Sequence, residues 1–105
     1  MNIEVAKKVL SVVDAGLCVG VGEPIPGQMC VEAAVCYALG EPHGDKPSCV
    51  AKPDRLFEMR LNDACWSSNE ARAKGLRRLS VMQLGTAGAD REPWRKILVE
   101  LTIRR

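Results

Sequence analysis

The segment QMCVEAAVCYAL, residues 28–39, constrains the fold more than any other part of the chain, because Glu32 is its only charged residue. Its apolar residues recur at the spacing of an α-helix and cover nearly every face of that helix. A helix that is apolar all round is buried in a globular protein. Gly40 follows the segment and is suited to end it in a left-handed turn. The segment therefore predicts a buried central helix over residues 28–39.

Four other segments combine helical periodicity with start or stop signals. They are a first helix that Gly16 ends, one that begins at Pro53, one with a capping box of Ser67 and Glu70, and one from Asp90 with a stripe of Trp94, Ile97, Leu98 and Leu101. Aromatic residues make up only 4% of the chain, so the core must be aliphatic, which suits closely packed helices. We expect an all-α fold, with residues 1–105 forming a single compact bundle of about five helices.

The stretch LCVGVGEPIPGQ, residues 17–28, separates the first two predicted helices. Three glycines and two prolines within it argue against a helix. The stretch also carries apolar residues, namely Leu17, Val19, Val21 and Ile25. We therefore expect a loop that lies against the core.

The cysteines bear on cellular location and on chemistry. Their number is odd, so they cannot all pair within the chain, and none form a CxxC pair; they are Cys18, Cys30, Cys36, Cys49 and Cys65. The sequence shows no export signal and no run of about 18 apolar residues that would span a membrane. We expect a reducing, cytoplasmic location in which the thiols act mainly as small buried apolar groups.

A metal site would have to come from Cys30, Cys36, His43 and Cys49, a donor set that suits zinc. Six residues along a helix turn the chain by about 600°, which leaves Cys30 and Cys36 pointing about 120° apart. The two thiols cannot then bind the same ion from one regular helix. We expect no metal and no other cofactor.

Thiol catalysis is the other chemistry that these residues suggest. His43 could serve as the base for Cys49 or Cys30, and the imidazole could be oriented by one of three acids, Glu32, Glu41 and Asp45. However, His43 belongs to the turn-forming sequence EPHGD, and a side chain in such a turn is expected to be exposed. None of the common catalytic or phosphate-binding motifs is present in the sequence. We expect the protein not to be an enzyme.

Charge is distributed unevenly along the chain, although the net charge is only +2. Residues 1–45 hold two lysines against six acids, whereas residues 46–105 hold thirteen basic residues against seven acids. A basic surface is predicted on the fourth and fifth helices, from Arg72, Lys74, Arg77, Arg78, Arg91, Arg95 and Lys96. Such a surface could bind nucleic acid, but the pI of about 8.3 is low for a dedicated nucleic-acid-binding protein.

Three short sequence motifs resemble those of other proteins: C-V-E-A, Y-x-x-G-E-P-H and L-N-D, all within residues 27–87. The chain resembles a set of uncharacterised bacterial and phage-associated small proteins, and the resemblance implies no known activity or catalytic residue. It implies that the loop 40–50 and the segment 61–63 form a fixed local structure. Carboxylates there can cap helices or accept backbone N–H groups; the candidates are Glu32, Glu41, Asp45 and Asp63.

Together these observations favour a small, non-enzymatic interaction protein encoded by a phage or mobile element. We expect it to act on a host macromolecular complex, for example as an inhibitor of the anti-CRISPR type, with a protein as its partner. The first alternative is a nucleic-acid-binding module that uses the basic surface of residues 72–78 and 91–96. The second is a Cys/His metal-binding protein or thiol enzyme.

Overall fold

A computed structural model describes residues 3–88 of the chain, and this part is helical. It contains four α-helices and a final 3-10 turn: α1 (Ile3–Asp14), α2 (Val31–Leu39), α3 (Lys52–Asn62), α4 (Asn69–Met82) and the turn Thr86–Gly88. These residues form no β-strand, only one isolated bridge between Gly22 and Met29. The predicted all-α class is confirmed for this range. Four helices are found where about five were predicted, and the predicted helix from Asp90 lies outside the described residues.

The helices pack as an aliphatic core. Helix α1 contacts both α2 and α4, and α3 contacts α2 and α4 from the other side. Seven of the nine residues of α2 are buried. From α1 the buried residues are Ala6, Val9, Val12 and Val13. None of the helices in residues 3–88 has the length and apolarity needed to cross a bilayer.

Helix α2 begins three residues later than the predicted start at residue 28. The backbones of Gln28 and Met29 are already paired with the preceding loop, through N–H groups of Glu23 and Cys18. Cys30 instead caps the helix, and its Sγ accepts a hydrogen bond from Ala33 N at 3.3 Å. The helix ends at Gly40, whose φ of +73° is the left-handed conformation predicted for it.

Helices α3 and α4 start close to their predicted positions. Pro53 lies in the first turn of α3, as expected. The predicted capping box at Ser67 and Glu70 was wrong by one residue, because Ser68 is the cap and accepts a hydrogen bond from Ala71 N at 3.0 Å. Gly75 of α4 lies directly beside the Trp66 ring, which occupies the space that a Cβ at this position would need.

Candidate functional site

The loop of residues 17–29 has a fixed backbone despite its glycines and prolines. Its two ends are joined by Cys18 N donating to Met29 O at 3.0 Å. Nearer the tip, Glu23 N donates to Gln28 O at 2.8 Å and Gln28 N donates to Ile25 O at 2.9 Å. Gly22 has a φ of +70°, and a Cβ at this position would overlap the carbonyl of Gln28. We call residues 17–29 the ordered loop.

Two residues at the C-terminal end of α3 form hydrogen bonds with the ordered loop. Asn62 is buried, and its Oδ1 accepts from Val31 N at 2.9 Å while its Nδ2 donates to Cys18 O at 2.8 Å. Asp63 Oδ1 accepts from Gly20 N at 3.0 Å. One asparagine thus ties the start of α2 to the first turn of the ordered loop. These contacts agree with the expectation of a fixed structure at residues 61–63.

The loop 40–50, which follows α2, also forms a hydrogen bond with the ordered loop. The Nε2 of His43 lies 2.9 Å from Gly22 O, which makes it the donor in that hydrogen bond. Within the same segment, Glu41 accepts hydrogen bonds from the backbone N and the hydroxyl of Ser48. The loop 40–50 therefore has the fixed structure that was expected of it, and Glu41 and Asp63 accept backbone N–H groups as predicted.

The ordered loop presents apolar side chains to solvent. Leu17 is fully buried, but Val19 is 59% exposed and Ile25 is 50% exposed. The prediction that the apolar residues of the loop lie against the core is therefore correct for Leu17 and for Val21, which is partly buried against the core, and wrong for Val19 and Ile25. The hydrogen bonds of the loop hold its backbone in a hairpin-like path, and Gly27 lies close to Ala15 just after α1. Ile25 stands between the exposed residues Pro24 and Pro26 at the tip of the loop.

A second unusual feature is a group of fully buried acidic residues between α2 and α3, namely Glu32, Asp54 and Glu58. Burial, together with the nearby carboxyls of Glu32 and Asp54, raises the pKa of Glu58 to about 9. Burial also raises the pKa of Glu32 to about 8, although the Gln83 amide and the Arg55 guanidinium oppose this shift. Glu32 and Glu58 therefore carry protons at neutral pH.

Glu58 is less well compensated than Glu32. The side-chain oxygens of both residues lack a hydrogen-bond donor among the described residues. Arg55 lies near Glu32, whereas the charged groups that act on Glu58 are the carboxyls of Glu32 and Asp54. The group is sealed inside the helix packing, and we assign it no catalytic role. The expectation that Glu32 caps a helix or holds an amide was wrong, because its side chain points into this buried group.

The predicted basic residues of α4 are separated by the structure. Arg72 is buried and donates to Asn62 O at 2.6 Å and to the side chain of Asn69, so it lies outside any basic surface. Arg77 Nε donates to Asp14 Oδ1 at 2.6 Å and joins α4 to α1. Lys74 and Arg78 are exposed. The remaining three, Arg91, Arg95 and Lys96, lie outside the described residues.

The predicted metal donors are also placed apart. Across residues 3–88, no group of three or more His, Cys, Asp or Glu side chains is arranged to hold a metal ion. Cys30 caps α2, and His43 is bonded to Gly22. Burial raises the pKa of both Cys30 and Cys36 to about 11, so these thiols are poor nucleophiles at neutral pH. All five cysteines are free, and Cys65 is exposed.

Comparisons with protein-family models, with curated proteins and with solved structures found no match for this chain. The site must therefore be evaluated from its own geometry.

The sequence led us to expect a fixed local structure at residues 40–50 and 61–63, but it did not connect either segment to the ordered loop, and it did not predict the exposed apolar tip of that loop. The sequence EPIPG contained a usable signal, since an isoleucine between two prolines has few neighbours along the chain to cover it. The burial of Glu58 had no such signal, because the surrounding Arg55 and Arg60 made its helix look like an ordinary solvated one.

Proposed function

We propose that this chain is a non-enzymatic interaction protein of a phage or mobile element, and that the ordered loop contacts a protein of a host macromolecular complex. The observation that supports this proposal most directly is the exposure of Val19 and Ile25 on a backbone held by hydrogen bonds. Single exposed apolar residues are common on protein surfaces. What distinguishes these two is that they stand on a loop whose backbone forms hydrogen bonds with two other segments, at Cys18, Gly20 and Gly22.

A fixed loop is suited to binding because little conformational freedom remains to be lost. Ordering a flexible loop or side chain on association reduces affinity, whereas a preorganised one avoids that cost. The flanking prolines restrict the backbone at the tip further. Each fixes its own φ near −65°, and Pro26 also disfavours the helical conformation for the preceding residue, Ile25. Ile25 can then enter a partner's pocket without rearrangement of the loop.

The contacts of α4 favour this proposal over the nucleic-acid alternative. Binding to phosphates needs several free cations along one face. Within the described part of α4, Arg72 is buried by its bonds to Asn62 and Asn69, and Arg77 is paired with Asp14. Lys74 and Arg78 remain as exposed cations of this helix.

The proposal is tested with two variants of the full chain. One carries a photo-crosslinking amino acid at position 25, and the other carries it at position 3. Ile3 is 68% exposed on α1 and provides a matched apolar control. We expect a host protein to be captured from position 25 and not from position 3. That protein is then purified and its affinity is measured against Ile25→Asp and Ile3→Asp variants.

Ile25→Asp should weaken binding by about 30-fold or more, the usual effect of losing a central apolar contact of an interface. Ile3→Asp should leave the affinity unchanged. Equal affinities for wild type and Ile25→Asp, with both proteins folded, would overturn the role of the ordered loop.

A further inference from the structure

We propose that the partner of the ordered loop presents an apolar pocket rimmed by lysine or arginine side chains. This inference rests on the proposed function and adds the chemistry of the partner surface. It draws on a different observation, the distribution of charge around the loop, which the exposure of Ile25 does not determine.

The sequence contains no lysine or arginine between Lys8 and Lys46. This interval includes the whole ordered loop and the part of the loop 40–50 that packs beside it through His43. Its acidic residues include Glu23, which is exposed on the ordered loop itself, and Asp45. Residues 9–45, which include the surface around Ile25, therefore contribute carboxylates and no lysine or arginine.

Residues from elsewhere in the chain add to the negative charge. Asp63 is exposed at the end of α3 and is bonded to Gly20 of the ordered loop. Asp63 and Asp45 line the same small cavity, of about 40 Å³, beside Gly20 and Val21. The carboxylates of Asp45 and Asp63 therefore lie beside one part of the ordered loop, at Gly20 and Val21, and Glu23 is exposed nearer its tip.

The cations near the loop offset only part of this charge. The guanidinium of Arg72 lies near the Cys18 thiol, but it is buried and donates to the carbonyl groups of Asn62 and Ala64. Lys46 is exposed and lines one surface depression together with Asp45 and His43, so it offsets the charge of Asp45 but not that of Glu23 or Asp63. A partner that approaches Ile25 meets carboxylates, and a cationic rim complements them, whereas a phosphate backbone would be repelled.

A direct test uses two short peptides as probes and the full, isotope-labelled chain observed by NMR. One peptide alternates leucine with lysine, and the matched peptide alternates leucine with glutamate. At millimolar concentration the leucine–lysine peptide should shift the amide signals of residues 18–25, 43–45 and 63, and the leucine–glutamate peptide should not. Equal shifts with both peptides, shifts confined to other residues, or no shifts with either would overturn the inference.

The captured host protein gives the second test, with charge variants that leave the loop contacts intact. Glu23→Gln with Asp45→Asn removes two carboxylates from this surface. As the control, Glu70→Gln with Glu4→Gln removes two exposed carboxylates from elsewhere and should leave the affinity unchanged. Each removed loop charge should weaken binding by up to about fivefold, the usual effect of an exposed ion pair. Association should also slow several-fold as salt rises from about 0.05 to 0.5 M.

The two proposals can fail separately. If Ile25→Asp abolishes binding but the Glu23 and Asp45 variant and added salt do not weaken it, the cationic rim is wrong and the ordered loop remains the binding site. If Ile25→Asp leaves the affinity unchanged, the proposed function itself is wrong.

Discussion

The buried carboxyl of Glu58 should make the stability of this protein fall as the pH rises. Its native pKa of about 9 lies well above the value of 4.5 for an unperturbed glutamate. Between these two pH values the native protein keeps a proton that the unfolded chain has released. The native state therefore binds more protons, and raising the pH favours unfolding.

The magnitude follows from the linkage between proton binding and folding. Each retained proton lowers the free energy of unfolding by about 1.4 kcal/mol per pH unit across this window. Glu32, with a native pKa of about 8, adds a similar slope until the pH approaches that value. Native domains are stable by only about 5–15 kcal/mol, so a change of one or two pH units is measurable.

The assay compares wild type with Glu58→Gln by urea unfolding from about pH 5 to pH 8. Glutamine has nearly the volume of a protonated glutamate and cannot ionise, so the stabilities of the two proteins should differ least at the acidic end of this range. As the pH rises, the variant should gain stability over wild type by about 1.4 kcal/mol per pH unit. Glu70→Gln, at an exposed position of α4, provides the control and should change the pH profile little.

Parallel pH profiles for wild type and Glu58→Gln would refute this reasoning. They would mean that the Glu58 carboxyl has the same proton affinity in the native and unfolded chains, which its full burial does not allow.

Four further predictions concern the packing of the loop and helices. Asn62→Ala should lower the free energy of unfolding by about 2–5 kcal/mol in urea, because it leaves the backbone groups of Val31 and Cys18 without their partner; a loss below about 1 kcal/mol would contradict this. Gly22→Ala should be clearly more destabilising than Gly20→Ala, since both glycines have positive φ but only Gly22 has no room for a Cβ; equal melting temperatures would count against it. Gly75→Ala should destabilise the protein although alanine favours helices, and Trp66→Leu in the same chain should reduce that loss, because the added methyl overlaps the Trp66 ring; a stabilised single variant would show that the ring moves freely. Alkylation of the native protein at neutral pH, followed by mass spectrometry, should modify Cys65 well before Cys30 or Cys36, whose burial raises the pKa of both thiols to about 11; early labelling of Cys30 would show that the start of α2 opens.

The sequence predicted helices well where the signals were local. Apolar spacing with Gly16 and Gly40 located the ends of α1 and α2, because a left-handed glycine ends a helix without help from distant residues. The start of α2 was misplaced because Gln28 and Met29 are paired with the ordered loop, a contact that no local pattern encodes.

The candidate site was less accessible to prediction for the same reason. Asn62 holds the ordered loop through hydrogen bonds with Val31 and Cys18, which lie 31 and 44 residues away in the sequence. No periodicity in the sequence indicates such long-range pairs. The apolar residues of the loop predicted a covered surface, but composition alone does not say which side of a loop faces the core. In α4, the charges of Arg72 and Arg77 looked alike in sequence, and only tertiary contacts make one of them internal and the other an ion-pair partner of Asp14.

The side chains of Leu17 and Met29 are buried in the core and anchor the two ends of the ordered loop. Between these ends, the hydrogen bonds with Asn62, Asp63 and His43 involve only main-chain atoms of the loop. The groups that Asn62, Asp63 and His43 contact there are a carbonyl of Cys18, an amide of Gly20 and a carbonyl of Gly22. The side chains at residues 23–26 can therefore be exchanged without removing any of these supports. New sequences at the tip would inherit the same frame, which makes this small domain a starting point for selecting binders to other targets by randomising a few adjacent positions.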